Sequence, residues 1–324
     1  MWWIFALIFG IVALLLLFSY LTYRTAFFSP KKKRRGDDRF FSSDPALAAV
    51  RSMFLSRVDA VRAAEFLPLT VTSRDGLTLY GRYYEIRRGA PVEIGFHGYR
   101  STALHDGPVA YESAVRNGTN LLLVDQRAHG QSDGHVITFG VLERYDVLAW
   151  VEEVCRRFGD KTEILISGVS MGAATVLLAS SLPLPKNVKG VLADCPYSSP
   201  RDILRKVAGD MHLPPALAYP FLRVGAMLFG GFDPSSVSVA EAVAGSRLPI
   251  LLVHGEGDTF VPCEMSRAIA EKNPTVRYET YPGADHGLSY FSDPERYRRM
   301  CDDFRRAVLS SPEGKDEKKN GNTP

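Results

Sequence analysis

Five residues, Gly168-Val169-Ser170-Met171-Gly172, form a G-x-S-x-G pattern between an apolar run, Glu163-Ile164-Leu165-Ile166-Ser167, and a helix-compatible run from Ala173 to Ser181. The order is strand, sharp turn with serine at its apex, then helix. Such a turn holds the serine in a strained backbone conformation with its hydroxyl exposed above the sheet. The flanking glycines let strand and helix cross without a Cβ between them. The alternative is a merely structural turn, which would not need this placement. The chemistry implied is nucleophilic acyl transfer. A serine hydroxyl is a weak nucleophile at neutral pH, so a general base is required, and a third group to orient that base.

Where such an elbow is used, the acid and then the histidine follow the serine along the chain. Beyond Ser170 the chain holds His212, His254 and His286. His286 sits in the turn-rich Pro282-Gly283-Ala284-Asp285-His286-Gly287, just past the strand-like run Val276 to Tyr281, where it could reach back over a sheet. His254 ends the apolar run Pro249 to Val253 and reads as a packed, backbone-bonded residue. His212, beside Leu213-Pro214-Pro215, reads as a cap or surface residue. Gly255-Glu256-Gly257-Asp258 follows a strand end, which makes Asp258 the simplest third member, with Glu256 the alternative.

A tetrahedral oxyanion needs two backbone N–H groups. Met171, next after the serine, supplies one. The other is expected from a loop after an early strand, where Val92 to Phe96 runs into His97-Gly98-Tyr99-Arg100. Gly98 permits close approach and Tyr99 offers its N–H. His97, ahead of the nucleophile at a strand end, reads as structural.

With His97-Gly98-Tyr99, Asp125-Gln126-Arg127-Ala128-His129-Gly130-Gln131-Ser132, the Gly168 to Gly172 elbow, His254 through Asp258 with Val261-Pro262, and Gly283 to Gly287, the chain resembles the α/β-hydrolase superfamily over residues 65 to 310. Together these motifs are most similar to membrane-anchored bacterial hydrolases of the serine-aminopeptidase and monoacylglycerol-lipase branch. The resemblance implies Ser170 as nucleophile, Asp258 as acid and His286 as base. Ala128 stands where many members have glycine.

Apolar runs at Leu121 to Val124, Glu163 to Ser167, Val188 to Ala193, Pro249 to Val253 and Val276 to Tyr281 alternate with helix-compatible stretches. An α/β fold follows, mostly parallel with helices on both faces, and ligands then bind beyond the carboxyl ends of the strands. Leu67 to Thr72 and Leu77 to Glu85 flank Ser73-Arg74-Asp75-Gly76, a hairpin signal that adds antiparallel strands. Residues 198–244 interrupt the alternation with apolar segments broken by proline and glycine. A short helical lid over the site has this composition, as does a packed helical crossover. Gly230-Gly231 lacks the surroundings of a phosphate loop.

Trp2 to Tyr23 holds no charged residue, and its first seventeen residues are apolar or glycine. As a helix it would be about 33 Å long at 1.5 Å per residue, enough to cross a bilayer. Trp2, Trp3, Tyr20 and Tyr23 lie at its ends, as membrane-interface aromatics do. A cleaved signal peptide is the competing reading, but no basic residue precedes the run and no convincing A-x-A site follows it. Residues 1–23 are therefore expected to be a single-pass transmembrane anchor. Arg24 and Lys31-Lys32-Lys33-Arg34-Arg35 follow it, which by the positive-inside rule puts the catalytic domain in the cytoplasm, with the basic run against anionic headgroups. The first 36 residues hold six of the 39 basic side chains and none of the 36 acidic ones, so the remainder carries a net −3. A nucleic-acid groove is not expected on such a surface.

Residues 24–64 read as a basic juxtamembrane linker passing into an amphipathic helix, with Leu47, Val50, Phe54, Val58 and Val61 on one face, free to pack on the domain or lie on the membrane. Residues 311–324 read as a disordered tail. Cys155, Cys195, Cys263 and Cys301 form no C-x-x-C pair, as in reduced cytosolic proteins. No metal-site spacing appears, and neither cofactor nor metal is expected. The expected activity is hydrolysis of small or lipophilic carboxylic esters, with membrane lipid as a partner. The alternatives are a serine peptidase acting on short peptides, for which Glu241, Asp202 and Asp210 are the local acids able to hold a peptide terminus, and a catalytically silent membrane scaffold.

Overall fold

A computed structural model describes residues 2–30 and 45–309. The basic run at 31–35 and the stretch 311–324 lie outside the described residues.

Two helices, α1 (Trp2–Ala26) and α2 (Pro45–Ala63), lead into strands β1 (Leu67–Thr72), β2 (Thr78–Tyr84) and β3 (Val92–Phe96). Helices α3 (Ala103–Asp106) and α4 (Pro108–Asn117) precede β4 (Asn120–Asp125). Then α5 (Glu143–Phe158), β5 (Ile164–Val169), α6 (Met171–Ala179) and β6 (Val188–Asp194) alternate. A helical insertion follows, made of α7 (Pro200–Asp210), α8 (Pro215–Gly225), a π-helical turn (Ala226–Gly230) and α9 (Val239–Ala244). Strand β7 (Ile250–Gly255), α10 (Cys263–Ala270), β8 (Val276–Tyr281), α11 (Ser289–Ser292) and α12 (Pro294–Val308) complete the described chain.

The eight strands form one sheet in the order β1-β2-β4-β3-β5-β6-β7-β8. The β1–β2 and β2–β4 pairs are antiparallel, and every later pair is parallel. Strands β3, β4 and β7 are buried at every position. Parallel strands covered by helices on both faces must be so, and they read as nearly unbroken apolar runs. By contrast β2 alternates over its first residues. Gly81 of β2 leaves room for α5, since a Cβ there would come within 3.0 Å of the Trp150 and Leu122 side chains.

A charged residue in the centre of the sheet is Glu93 of β3, which is buried and receives Arg305 Nε on Oε2 at 2.9 Å and Nη2 on Oε1 at 3.1 Å from α12. The two parallel hydrogen bonds offset the desolvation of both charges. Removing either partner would cost about 3–5 kcal/mol by leaving the other charged and unpaired.

Helix α1 is long and apolar enough to cross a membrane. Its last turns dock on the insertion: a Cβ at Gly225 of α8 would lie 2.3 Å from the Ser19 carbonyl oxygen, and the Phe18 and Phe221 rings meet edge to face at 4.8 Å. Residues expected to begin a linker are instead knitted into the domain. Phe27 is fully buried against Phe139 and Phe232, and Phe28 forms an antiparallel bridge with Val136. Of the two placements open to the amphipathic helix, α2 takes the domain: Val58 and Val61 are buried, and the helix packs on α3 and α4.

Candidate active site

The turn between β5 and α6 places Ser170 at φ 54°, ψ −117°. This is a region that side chains other than hydrogen rarely occupy. Two glycines make it possible. A Cβ on Gly168 would lie 2.4 Å from the backbone of Gly172, and one on Gly172 would lie 2.1 Å from the Phe96 carbonyl oxygen of β3. The serine therefore stands beyond the carboxyl end of the sheet's centre, with its own N–H donating to the Asp194 carbonyl at 2.8 Å.

Loops after β7 and β8 bring two groups to it. Ser170 Oγ lies 2.9 Å from His286 Nε2, and His286 Nδ1 lies 2.7 Å from Asp258 Oδ2. The Asp258 carboxylate is fully buried and also accepts backbone N–H bonds from Val261 at 2.7 Å and Phe260 at 3.0 Å through Oδ1. Burial alone would raise its pKa, but hydrogen bonds from His254 and His286, the His286 charge and the Val261 amide outweigh burial and hold it at about 2. Glu256, the other acid considered, is exposed and bonded to Thr280.

His254 is fully buried, with Nε2 at 2.8 Å from the Val261 carbonyl and 3.1 Å from Asp258. A carbonyl only accepts, so Nε2 carries the proton, and Nδ1 accepts from Ser266 Oγ at 2.6 Å. The histidine packs as its position at the strand end suggested, and in doing so it also braces Asp258. His212 is exposed at the end of α7.

The loop after β3 faces Ser170 from the other side, and a Cβ on Gly98 would lie 3.4 Å from the Ser170 Cβ. The loop is fixed at each residue in turn. His97 donates Nδ1–H to the Gly98 carbonyl at 2.7 Å and accepts the Gln126 N–H at 3.0 Å. The Gly98 N–H donates to Asp106 Oδ2 at 2.7 Å, and the Arg100 N–H donates to His129 Nε2 at 2.9 Å. At Tyr99 and Arg100 the loop meets the end of α1: the Tyr99 hydroxyl donates to the Ala26 carbonyl at 2.7 Å, and Arg100 Nη2 donates to the Thr25 carbonyl at 2.6 Å. These are terminal helix carbonyls, which favour a cationic donor. Met171 begins α6, where the first N–H groups of a helix have no intrahelical acceptor.

A cavity of about 720 Å³ opens on Ser170 and His286 and reaches Cys301 and Arg305 of α12. Its apolar wall includes Phe96, Val109, Leu192 and Phe291, and Val50 and Phe54 of α2 cover it. No wall residue comes from 198–244, the stretch expected to supply a lid. That insertion meets the site at its rim, where Lys206 Nζ donates to the Thr259 carbonyl and lies 5.8 Å from the Phe260 ring, which in turn packs on His286. Nor do the acids named for a peptide terminus reach the cavity. Glu241 pairs with Lys272, Asp210 with Lys206, and Asp202 bonds Ser198 and Ser199 at the start of α7.

Four residues to which sequence reasoning gave no part in the site shape it. Asp106 and His129 hold the Gly98 and Arg100 amides. Asp194, buried at the end of β6, accepts the Tyr297 hydroxyl at 2.9 Å. Burial pushes its carboxyl up to about 6, against the lowering effect of that bond and of His254 and His286. Phe54 covers the cavity. Cys195 lies with Asp258 and His286 so that one ligand atom of each falls within 4.8 Å of the others. Burial raises the Cys195 thiol well above its ordinary value, which opposes the thiolate that a metal would need.

The model of the Alpha/beta hydrolase family matches residues 94–300. The chain belongs to the alpha/beta hydrolase family. The hydrolase is 27% identical to the uncharacterized protein YqkD of Bacillus subtilis over 190 residues, which is 58% of this chain and 62% of that one, so the match spans less than two thirds of the relative. It is 24% identical to the bifunctional esterase/perhydrolase of Acinetobacter calcoaceticus, over 67% of this chain and 92% of that one. Among solved structures, an esterase of Pyrococcus furiosus superposes with a TM-score of 0.64 at 25% identity, covering 77% of this chain and 94% of that one. Strand order, the elbow and the loops after β7 and β8 bring Ser170, Asp258 and His286 together, with the loop after β3 facing them.

Proposed function

We propose that the chain is a membrane-anchored serine esterase that cleaves small or lipophilic acyl esters through an acyl-enzyme. The observation that carries the reading is the continuous hydrogen-bonded path from Ser170 Oγ through His286 to Asp258. His286 Nε2 takes the Ser170 proton as Oγ attacks the ester carbonyl, and Asp258 holds the imidazole in the tautomer with Nδ1 protonated and stabilises the imidazolium that forms. The Met171 and Tyr99 amides receive the oxyanion. The leaving alcohol takes the proton from His286, and water, deprotonated by His286, then hydrolyses the acyl-enzyme.

The largely apolar cavity beyond Ser170 suits an acyl chain or ring. The esterase relatives support ester chemistry over peptide chemistry, as does the absence of Glu241, Asp202 and Asp210 from the cavity wall. In this reading α1 spans the membrane, and the basic run after it keeps the catalytic domain on the cytoplasmic side.

The test is fluorophosphonate labelling of the detergent-solubilised protein, wild type beside Ser170→Ala, with p-nitrophenyl esters of rising chain length and aminoacyl-anilides assayed in parallel. Labelling and ester turnover in the wild type, both lost in the variant, are expected. Anilide turnover alone would replace the esterase reading with a peptidase. A folded wild type that neither labels nor turns over would overturn it.

A further inference from the structure

The face of the helical insertion that points away from the domain is apolar. Leu213, Leu217, Val224, Met227, Leu228 and Phe229 are all exposed, from 40% for Val224 and Phe229 to 68% for Leu217. Between Met211 and Phe232 the chain has one permanently charged side chain, Arg223, and Asp233 binds it through two hydrogen bonds at 3.0 and 2.7 Å. Contiguous exposed apolar surface of this kind marks a docking face.

Its neighbour identifies what it docks on. Helix α8 and the π-helical turn lie along the last turns of α1, with Phe221 against Phe18, Phe229 against Tyr20 at 5.2 Å, and Gly225 against the Ser19 carbonyl. The exposed face of the insertion therefore continues the exposed face of α1, where Leu14, Leu17 and Leu21 stand open. A hydrocarbon core about 30 Å thick accommodates about 20 helical residues, so a span that begins at Trp2 reaches the far boundary near Leu21. Phe18 and Ser19 then lie inside that boundary, and so do the parts of α8 that touch them. An aqueous position for the same face would leave six large apolar side chains in water beside a membrane.

We infer that α8 and the π-helical turn are a second membrane-embedded element, lying in the leaflet that α1 leaves and flanking it with their apolar face among the lipid chains. The inference rests on the reading of α1 as a span. It makes the attachment two-point: one helix fixes the chain in the bilayer, and the insertion fixes the rotation and tilt of the domain on it. Because α7 of the same insertion holds the loop of Thr259 and Phe260, the docked face and the rim of the site form one packed unit.

The experiment uses the full chain in vesicles of phosphatidylcholine and phosphatidylglycerol, with an environment-sensitive nitrobenzoxadiazole label on Leu217→Cys or Leu228→Cys. Leu14→Cys reports the span, Glu152→Cys reports solvent, and the unsubstituted protein gives the background from native cysteines. Lipids carrying a nitroxide high on the acyl chain quench labels at the depth of the insertion, and lipids carrying it near the chain end quench the label at 14, close to the midplane. Quenching at 217 and 228 of about twofold or more over that at 152 is expected, with blue-shifted emission, since interfacial helices bury their apolar face about 5–10 Å deep. Quenching at 14 without quenching at 217 and 228 would overturn the inference and leave the span standing. No quenching at 14, 217 or 228 would overturn both. A blue shift at 217 and 228 without lipid quenching would show that protein covers the face, a second copy of the chain included, and would also overturn it.

Discussion

The Tyr99 hydroxyl donates to the carbonyl oxygen of Ala26 at 2.7 Å, so the residue proposed as the second oxyanion donor also grips the end of the apolar N-terminal helix. Removing that hydroxyl in Tyr99→Phe leaves the ring in place among Phe139 and its neighbours but takes away one of the loop's ties to α1, that of Arg100 to the Thr25 carbonyl remaining. A hydrogen bond worth about 1 kcal/mol sets the scale. The expected outcome is a fall in kcat of about fivefold with little change in KM, because an oxyanion donor acts on the transition state rather than on bound substrate. Steady-state kinetics on a soluble p-nitrophenyl ester checks it, and an unchanged kcat would detach the helix end from catalysis.

Ser170 stores strain at φ 54°, ψ −117°. Glycine tolerates that conformation and alanine does not. Ser170→Gly is therefore expected to be inactive and more stable than the parent by about 1 kcal/mol, whereas Ser170→Ala is inactive with stability within about 0.5 kcal/mol. Denaturant unfolding of the pair reads the difference.

Asp258→Asn puts an amide where His286 Nδ1 needs an acceptor, and the imidazole is expected to settle in the wrong tautomer. Turnover should drop by about 10³- to 10⁴-fold with the fold retained. Glu256→Gln, on an exposed side chain bonded to Thr280, should change it by less than about twofold. If the two effects were reversed in kcat/KM, the acid would be misassigned.

Two buried carboxyls near the site pull stability in opposite directions with pH. Asp258, held at about 2, lies below its ordinary 3.8, so its contribution is present above pH 4 and is lost as pH falls toward 2. Asp194, pushed up to about 6, lies above 3.8, so the native state binds the proton more readily than the unfolded one and stability falls as pH rises from about 4 to 6. Asp194→Asn keeps an acceptor for Tyr297 and removes the ionisation. Above pH 6 it should be more stable than the parent by the order of 1–3 kcal/mol, and at pH 4 by little. Melting curves at pH 4, 5, 6 and 7 test the slope.

The sheet was legible because parallel strands buried on both faces write themselves as apolar runs. Leu121 to Val124 and Pro249 to Val253 fall within one and two residues of the bounds of β4 and β7 respectively. The elbow was legible because its two glycines answer close contacts that no other residue allows. What could not be read are pairings across long stretches of chain. Nothing local in Asp106 announces that it holds the Gly98 amide, and nothing in Thr25 or Ala26 announces that their carbonyls meet Tyr99 and Arg100, more than 70 residues on. The covering role of α2 was hidden for a related reason: Phe54 at helical spacing says that one face is buried, but not that a cavity lies beneath it. Proline and glycine breaks in 198–244 marked an insertion, but composition carries no direction, and its apolar face turns outward beside α1 rather than into the cavity.

The Glu93–Arg305 pair sets a timetable for biogenesis. Translation delivers α1 and then β3, whereas Arg305 follows Glu93 by 212 residues, roughly 10–40 s later at 5–20 residues per second. Through that interval the central strand lacks the guanidinium that offsets burial of its carboxylate, so closing the sheet around it early costs several kcal/mol. The first helix has by then already been made, and the strand waits for α12 to bring its partner.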